Sequence, residues 1–271
     1  MSDRLQYLKG VVLDWAGTTV DHGSCAPAIV FQEVFRSRGV PITPAQAREP
    51  MGKAKRDHIA TIAAMPEIAD AWQRQHGTPC GEADIDAMYA EFLPLQKEVL
   101  RDHGRLIDGT TDFVDWLRAE GLKIGSSTGY TRELMEVVRP VAAQQGYQPD
   151  CTLCVEDATE GRPAPYLIFE AAMRMGVYPL WHMVKVDDTP VGIEAGRNAG
   201  CWTIGITRTG NGVGLSQREY ETLPPAEQAT RVAAAAAKLN AAGAHATAES
   251  IAELKPLFFE FDQRLGRGER P

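Results

Sequence analysis

Five short apolar runs, Gly10–Leu13, Leu122–Ser126, Cys151–Val155, His182–Val186 and Trp202–Ile206, punctuate the chain, and each passes directly into polar or glycine residues. Their length is that of strands, and near-continuous apolar character predicts strands buried on both faces. Around and between them lie helix-length segments, Thr111–Glu120, Arg132–Gln145, Pro165–Met175 and Val191–Ala199. That alternation predicts an α/β fold: a doubly wound, parallel-sheet, Rossmann-like core with crossover helices. The Ala-rich stretch Val232–Ala237 and Ile251–Phe259 are expected to finish the chain as helices, with no repeat or linker to mark a third domain.

The interval between the first two runs breaks the rhythm. A crossover needs about a dozen residues, whereas residues 14–121 separate these strands, so the interval must carry structure of its own. Its apolar positions recur at helical spacing: Ile29-Val30 with Val34-Phe35, then Ile59, Ile62 and Ala63, then Met88, Phe92, Leu95 and Val99. The pattern predicts an inserted α-helical cap domain over residues 23–101, with residues 1–22 and 102–271 forming the core. A cap on two hinges can close over the strand ends, exclude water and deliver side chains of its own.

Composition narrows the function. The 271 residues are 44% hydrophobic and 24% charged, ordinary for a globular protein, and the net charge of −8 supplies no basic face for nucleic acid. No stretch reaches the roughly 18 apolar residues of a membrane span, and the first nine residues lack a signal-peptide core. The expected location is cytoplasmic. Five scattered cysteines, an odd number, suit reduced thiols. Cys151 and Cys154 form a lone C-x-x-C that no second pair or nearby His completes, so they read as small apolar residues at a strand rather than a zinc or redox pair.

Chemistry gathers where the strands end. Asp14 closes Val11-Val12-Leu13 and opens a glycine-containing loop, Trp15-Ala16-Gly17-Thr18-Thr19, which puts a carboxylate at the crevice where open α/β sheets bind ligands. Asp is also a common turn residue, so the run alone leaves a structural reading open. Ser126-Ser127-Thr128-Gly129-Tyr130 brings hydroxyls and helix N-terminal amides to the second strand end, and Gly161-Arg162-Pro163 brings a cation after the third. Val186-Asp187-Asp188-Thr189 ends the fourth with two carboxylates, hard oxygen ligands that predict magnesium beside a phosphate. The loop Thr209-Gly210-Asn211-Gly212-Val213-Gly214 is flexible by composition, and without a strand-to-helix context it does not read as a nucleotide cradle.

Taken in order, an Asp nucleophile, Ser/Thr, a basic residue and an acidic pair on successive strand ends resemble the haloacid dehalogenase-like superfamily of phosphoryl-transfer enzymes. Within it the chain is similar to the phosphonatase family, on Asp14-Trp15-Ala16-Gly17-Thr18-Thr19-Val20-Asp21, Met51-Gly52 with Lys55, Thr128-Gly129-Tyr130-Thr131-Arg132, Gly161-Arg162-Pro163 and Gly196-Arg197-Asn198-Ala199-Gly200. The resemblance spans roughly the whole chain. It implies hydrolysis of the small-molecule substrate phosphonoacetaldehyde to acetaldehyde and phosphate, in phosphonate (2-aminoethylphosphonate) degradation, by a Mg2+-dependent homodimer.

By that resemblance Asp14 attacks phosphorus, Lys55 forms an imine with the aldehyde, and Asp14, the Ala16 carbonyl and Asp188 hold Mg2+. Thr128 and Arg162 hold the phosphoryl oxygens, His58 and Tyr130 assist imine formation and proton traffic, and Met51 and Gly52 pack the substrate side of the cap. Ala16 fits this chemistry: a phosphate ester leaves as an alkoxide that an acid at that position can protonate, whereas a phosphonate expels a carbanion that needs an electron sink. Lys55 must be neutral to attack, so burial or neighbouring cations must lower its pKa, and Lys53 and Arg56 are placed to help. The family pattern is broken twice: Ser24 stands where members often carry Cys, with Cys25 next to it, and Gly192 stands where many superfamily members carry a further carboxylate, a role Asp187 can take. The rivals are a phosphate-ester phosphatase or phosphomutase, a non-catalytic phosphate binder and a carbon-halogen hydrolase.

Overall fold

The computed structural model describes residues 4–271. Its sheet has six parallel strands, β1 Gly10–Leu13, β2 Lys123–Ser127, β3 Cys151–Leu153, β4 Met183–Asp187, β5 Trp202–Ile206 and β6 Ala246–Ala248, in the order β3-β2-β1-β4-β5-β6. The register sets Leu13 beside Ser126 on one side and Val186 on the other. The reason for the continuous apolar runs is visible in β1: Val11 and Leu13 pack into one hydrophobic cluster and Val12 into another, so both faces are covered.

The chain's helices are α1 Cys25–Ser37, α2 Pro44–Arg48, α3 Lys55–Ala63, α4 Pro66–His76, α5 Glu82–Asp102, α6 Thr110–Ala119, α7 Arg132–Gln144, α8 Tyr166–Met175, α9 Pro190–Asn198, α10 Gln217–Thr222, α11 Pro225–Ala241 and α12 Lys255–Gly266. Helices α6, α7 and α12 bury Phe113, Leu134 and Phe258 against one face of the sheet, and α8 and α9 bury Ile168 and Ala195 against the other. The alanine run lies inside α11, while Ile251–Glu253 is a 3-10 turn ahead of α12 and Val155 begins another just past β3.

Helices α1 to α5 bury a cluster of their own around Phe31, Phe35, Ile59, Ile62, Trp72 and Phe92. The spacing that predicts helices in this interval is the spacing of that cluster. Phe31 and Phe35 are wholly buried in it, whereas Ile29 on the same helix is exposed. Among the described residues no helix is long and apolar enough to cross a membrane, and all five cysteines are free.

Candidate active site

β1 and β4 lie side by side at the centre of the sheet, and the chain leaves them toward opposite edges, the switch point where a crevice opens at the carboxyl ends. Asp14 follows β1, its N–H donating to the Val186 carbonyl at 3.0 Å, which sets it beside Asp187 at the end of β4. The next turn is tight: the Trp15 carbonyl accepts the N–H groups of Thr18, Thr19 and Val20. The Ala16 carbonyl is left with no donor among the described residues, and Ala16 lines a small cavity at the crevice.

Asp14, Thr128, Tyr130, Arg162 and Asp188 line the same cavity from the sheet side. One Arg162 nitrogen, Nη2, donates to Asp14 Oδ1 at 2.7 Å, to the Ser127 carbonyl at 2.7 Å and to Ser127 Oγ at 3.0 Å, while Nη1 lies 3.2 Å from Asp187 Oδ2. Lys185, wholly buried on β4, puts Nζ 2.8 Å from Asp187 Oδ2, and Thr189 donates its N–H and hydroxyl to Asp187 Oδ1. Burial pushes Asp187 up, but Arg162 and Lys185 outweigh it and hold the carboxyl below the ordinary range. For Asp14 burial wins, aided by Asp187, and the pKa is raised against the pull of Arg162. Asp188 is raised further from the ordinary range, by burial and then by the Asp14 and Asp187 charges.

These carboxylates fit a cation. Asp14, Asp187 and Asp188 each offer an oxygen within 4.8 Å of the others. Asp188 Oδ2 accepts the Asn211 N–H at 2.7 Å, leaving Oδ1 buried without a donor, and two of the three groups are raised by crowding that a bound cation would relieve. Asp187 is already satisfied by Lys185, Arg162 and Thr189, which suits a group behind the ligands rather than among them. Its place also explains Gly192, where an added Cβ would meet the Asp187 carboxylate at 2.0 Å. The position that lacks a carboxylate is filled by one arriving from position 187.

From the cap, Met51, Gly52 and Lys55 line the other wall, with Ser24 from the linker. Contact between the halves is close: a Cβ on core Gly129 would lie 2.9 Å from the Lys53 carbonyl. The cavity between them holds ≈ 20 Å³, about the room of one water molecule. Lys55 opens α3 and is 4% exposed, its Nζ 4.8 Å from the Tyr130 ring centre and 5.6 Å from that of Phe31. Burial depresses its pKa to about 7, against Asp14, which pulls it upward. The helix N-terminus is equally unfriendly to a cation. Burial does most of this work, as one of the two expected causes, but the cation that adds to it is Arg162 rather than Lys53 or Arg56. Arg56, about 100° around α3 from Lys55, turns outward to Glu82 and Asp86, and Lys53, in the turn ahead of α3, donates to Thr61.

His58 lies one turn beyond Lys55 but does not reach the cavity. Its ring stacks on Phe31 with centres 3.7 Å apart, Nε2 bonds the Ala47 carbonyl at 2.9 Å, and burial together with Lys55 drives its pKa well down, so it is neutral. Thr128 Oγ1 accepts the Tyr130 N–H, and the Tyr130 hydroxyl is buried without a partner. Cys25, raised to about 11 by burial, is a poor thiolate. Sequence reading assigned nothing to Lys185, Thr189 or Asn211. A lysine inside Met183-Val184-Lys185-Val186 was the one available signal, since a cation in a buried strand needs a partner.

Fold and site together define a haloacid dehalogenase-like hydrolase, and the family model of that description matches residues 8–200. A phosphonoacetaldehyde hydrolase of Paraburkholderia phytofirmans is 46% identical over 267 residues, covering 98% of this chain and 100% of that one. One from Bacillus cereus is 44% identical over 248 residues, 92% of this chain and 94% of that one. The crystal structure of a phosphonoacetaldehyde hydrolase-like protein from Oleispira antarctica superposes with a TM-score of 0.96 at 38% identity, covering 100% of this chain and 99% of the other. The chain belongs to the phosphonoacetaldehyde hydrolase family.

Proposed function

We propose that the protein hydrolyses the carbon-phosphorus bond of phosphonoacetaldehyde to acetaldehyde and phosphate, as a step of phosphonate degradation. The observation that carries this is the buried Lys55 amine, its pKa brought down to about 7, sharing one cavity with Asp14, where the neighbouring acid that ester chemistry wants is Ala16. The Lys55 amine condenses with the aldehyde and releases water. The iminium then accepts the electron pair of the C–P bond as an enamine, while the phosphoryl group passes to an Asp14 oxygen. Water hydrolyses the aspartyl-phosphate, and the enamine takes a proton at carbon and is hydrolysed to acetaldehyde and free Lys55.

Asp14, the Ala16 carbonyl and Asp188 Oδ1 would hold Mg2+, which supplies charge neutralisation at the transferring phosphoryl oxygens. Thr128 and Arg162 bind those oxygens. For Arg162 this means exchanging its Asp14 contact for substrate. Met51 and Gly52 pack the aldehyde side, Tyr130 covers the amine and offers a hydroxyl for proton traffic, and His58 acts from behind Lys55. A cavity of ≈ 20 Å³ admits no substrate, so the cap over residues 23–101 opens on the linkers for entry. For the homodimer, most of the exposed apolar side chains lie on α8 and just beyond it, with Met173 70% and Tyr178 85% exposed, while the cap adds Ile29.

Borohydride trapping with phosphonoacetaldehyde and Mg2+, followed by peptide mass analysis, tests the reading. It predicts a reduced adduct on Lys55 that Lys55→Arg lacks. Active enzyme without an adduct would point instead to phosphatase or phosphomutase chemistry.

A further inference from the structure

The glycine-rich loop after β5, flexible by composition, is tied down at every second residue. Thr209 donates its hydroxyl to the Gly17 carbonyl at 2.9 Å and accepts the Gly23 N–H at 2.7 Å, joining the loop of Asp14 to the first cap linker. Asn211 gives its N–H to Asp188 Oδ2 at 2.7 Å and turns its side chain to the cap. There Oδ1 accepts from Arg48 Nη1 at 3.0 Å, and Nδ2 donates to the Arg48 carbonyl at 3.1 Å. Arg48 ends α2, and the same Nη1 also donates to the carbonyls of Gly23 at 2.7 Å and Ser24 at 3.1 Å in the linker. Its own carbonyl further accepts the N–H of Met51, a cavity wall. Neither Asn211 nor Arg48 lines the cavity.

We propose that Asn211 and Arg48 form a clasp that couples closure of the cap to the orientation of Asp188. The Asn211 N–H engages one Asp188 oxygen, so the other is turned to the cleft. Opening the cap breaks the paired side-chain bonds to Arg48 and loosens the segment that carries this N–H. By linkage, closure favours a cation at Asp188 by the same factor as the cation favours closure. Both are positioning residues, acting through Asp188 and the linker. The inference rests on the reading that these carboxylates take Mg2+.

The test is the Mg2+ dissociation constant, measured by calorimetry on the full chain without substrate, for wild type, Asn211→Ala, Arg48→Ala and the double variant, with melting curves alongside. Asn211→Ala keeps the N–H and removes only the clasp. Each single variant is expected to weaken Mg2+ by about fivefold or more, and the double no further than the worse single, because both break one connection. A role in cap stability alone would not move metal affinity from a residue that touches no carboxylate. Unchanged affinity in folded Arg48→Ala, or additive losses, overturns the clasp. If Arg48→Ala does not fold, Arg48→Lys, which cannot span the linker carbonyls and Asn211 together, carries the same expectation. Wild type that binds no Mg2+ removes the metal reading and the coupling with it, whereas binding indifferent to position 48 sinks the coupling alone.

Discussion

Lys185 in the core and Lys55 in the cap are both buried lysines, and they are handled differently. Lys185 sits 2.8 Å from Asp187 and shares that carboxylate with Arg162, so burial lowers its pKa while an ion pair opposes the change. Lys55 has no ion pair among the described residues; aromatic faces surround it and its pKa falls to about 7. The core keeps charge by pairing it, whereas the cap removes charge by desolvation. The difference matches two chemical needs: fixed charges around a phosphoryl group, and a free electron pair on nitrogen.

The sharpest way to break this comparison is to remove the reacting group from each half. Asp14→Asn and Lys55→Met are each expected to lower turnover by about 10⁴-fold or more, the scale of losing a nucleophile. They should part in trapping, because Asp14→Asn still forms a reducible adduct at Lys55 and Lys55→Met forms none. They should part in stability as well. The folded-state pKa of Lys55, about 7, lies under its ordinary 10.5, so the unfolded chain binds the extra proton between those values and wild-type stability rises with pH across that window. Below it the burial penalty is fully present. Lys55→Met should therefore be the more stable protein at pH 6, on the order of a few kcal/mol, and lose that advantage toward pH 10. Denaturant melts at both pH values decide it, and a less stable Lys55→Met at pH 6 would mean the amine is solvated.

Lys185→Met should do the opposite. It leaves Asp187 with Arg162 as its remaining cation partner in a wholly buried site, at a cost of about 3 kcal/mol, with no dependence on substrate. If Lys185→Met were as stable as wild type, pairing would not be what holds the core's charges.

What the sequence revealed and what it concealed follow the same division. The strands β1 and β5, and the carboxylates at positions 14 and 188, are legible because strand, loop and side chain are contiguous. β6 is not: Ala246–Ala248 is three residues long and its apolar positions are alanines, which disfavour strands, so pairing with β5 makes it a strand. The cation that depresses Lys55 was misassigned to its sequence neighbours, because charge effects run through space and Arg162 arrives from the far side of the fold. Asn211 left no trace for a related reason. Glycine on both sides signals flexibility, and only the fold supplies the bonds to Gly17, Gly23, Asp188 and Arg48 that tie the loop down.

A smaller effect is expected in the pH profile. With the Lys55 amine required neutral and its pKa near 7, kcat/KM should fall about tenfold per pH unit well below that value and level off above it. Stopped-flow rates with and without saturating Mg2+ check this. A limb displaced toward 10 would show that the cap does not stay closed over the amine.

The smallest expected effect lies where the two regions are joined. Asp21, in the first linker, accepts His103 Nδ1 from the second at 3.0 Å on one oxygen and the Ala26 N–H at 2.9 Å on the other, tying both linkers to the start of α1. The Asp21 hydrogen bond raises the His103 pKa, with burial opposing and the Asp21 charge aiding. A raised histidine contributes stability that is fully present below its unfolded value and is lost as pH climbs through the folded one. The His103 side chain keeps 29% of its surface exposed, so solvent screening leaves no more than about 1 kcal/mol. His103→Gln keeps a donor near Asp21 without the titration. It should melt slightly below wild type at pH 5.5 and indistinguishably from it at pH 8.5, with turnover hardly changed at the higher pH. Equal deficits at both values would make His103 a packing group. A large loss of turnover at pH 8.5 would mean instead that the linkers, and not only the clasp and the buried charges, decide how the cap meets the core.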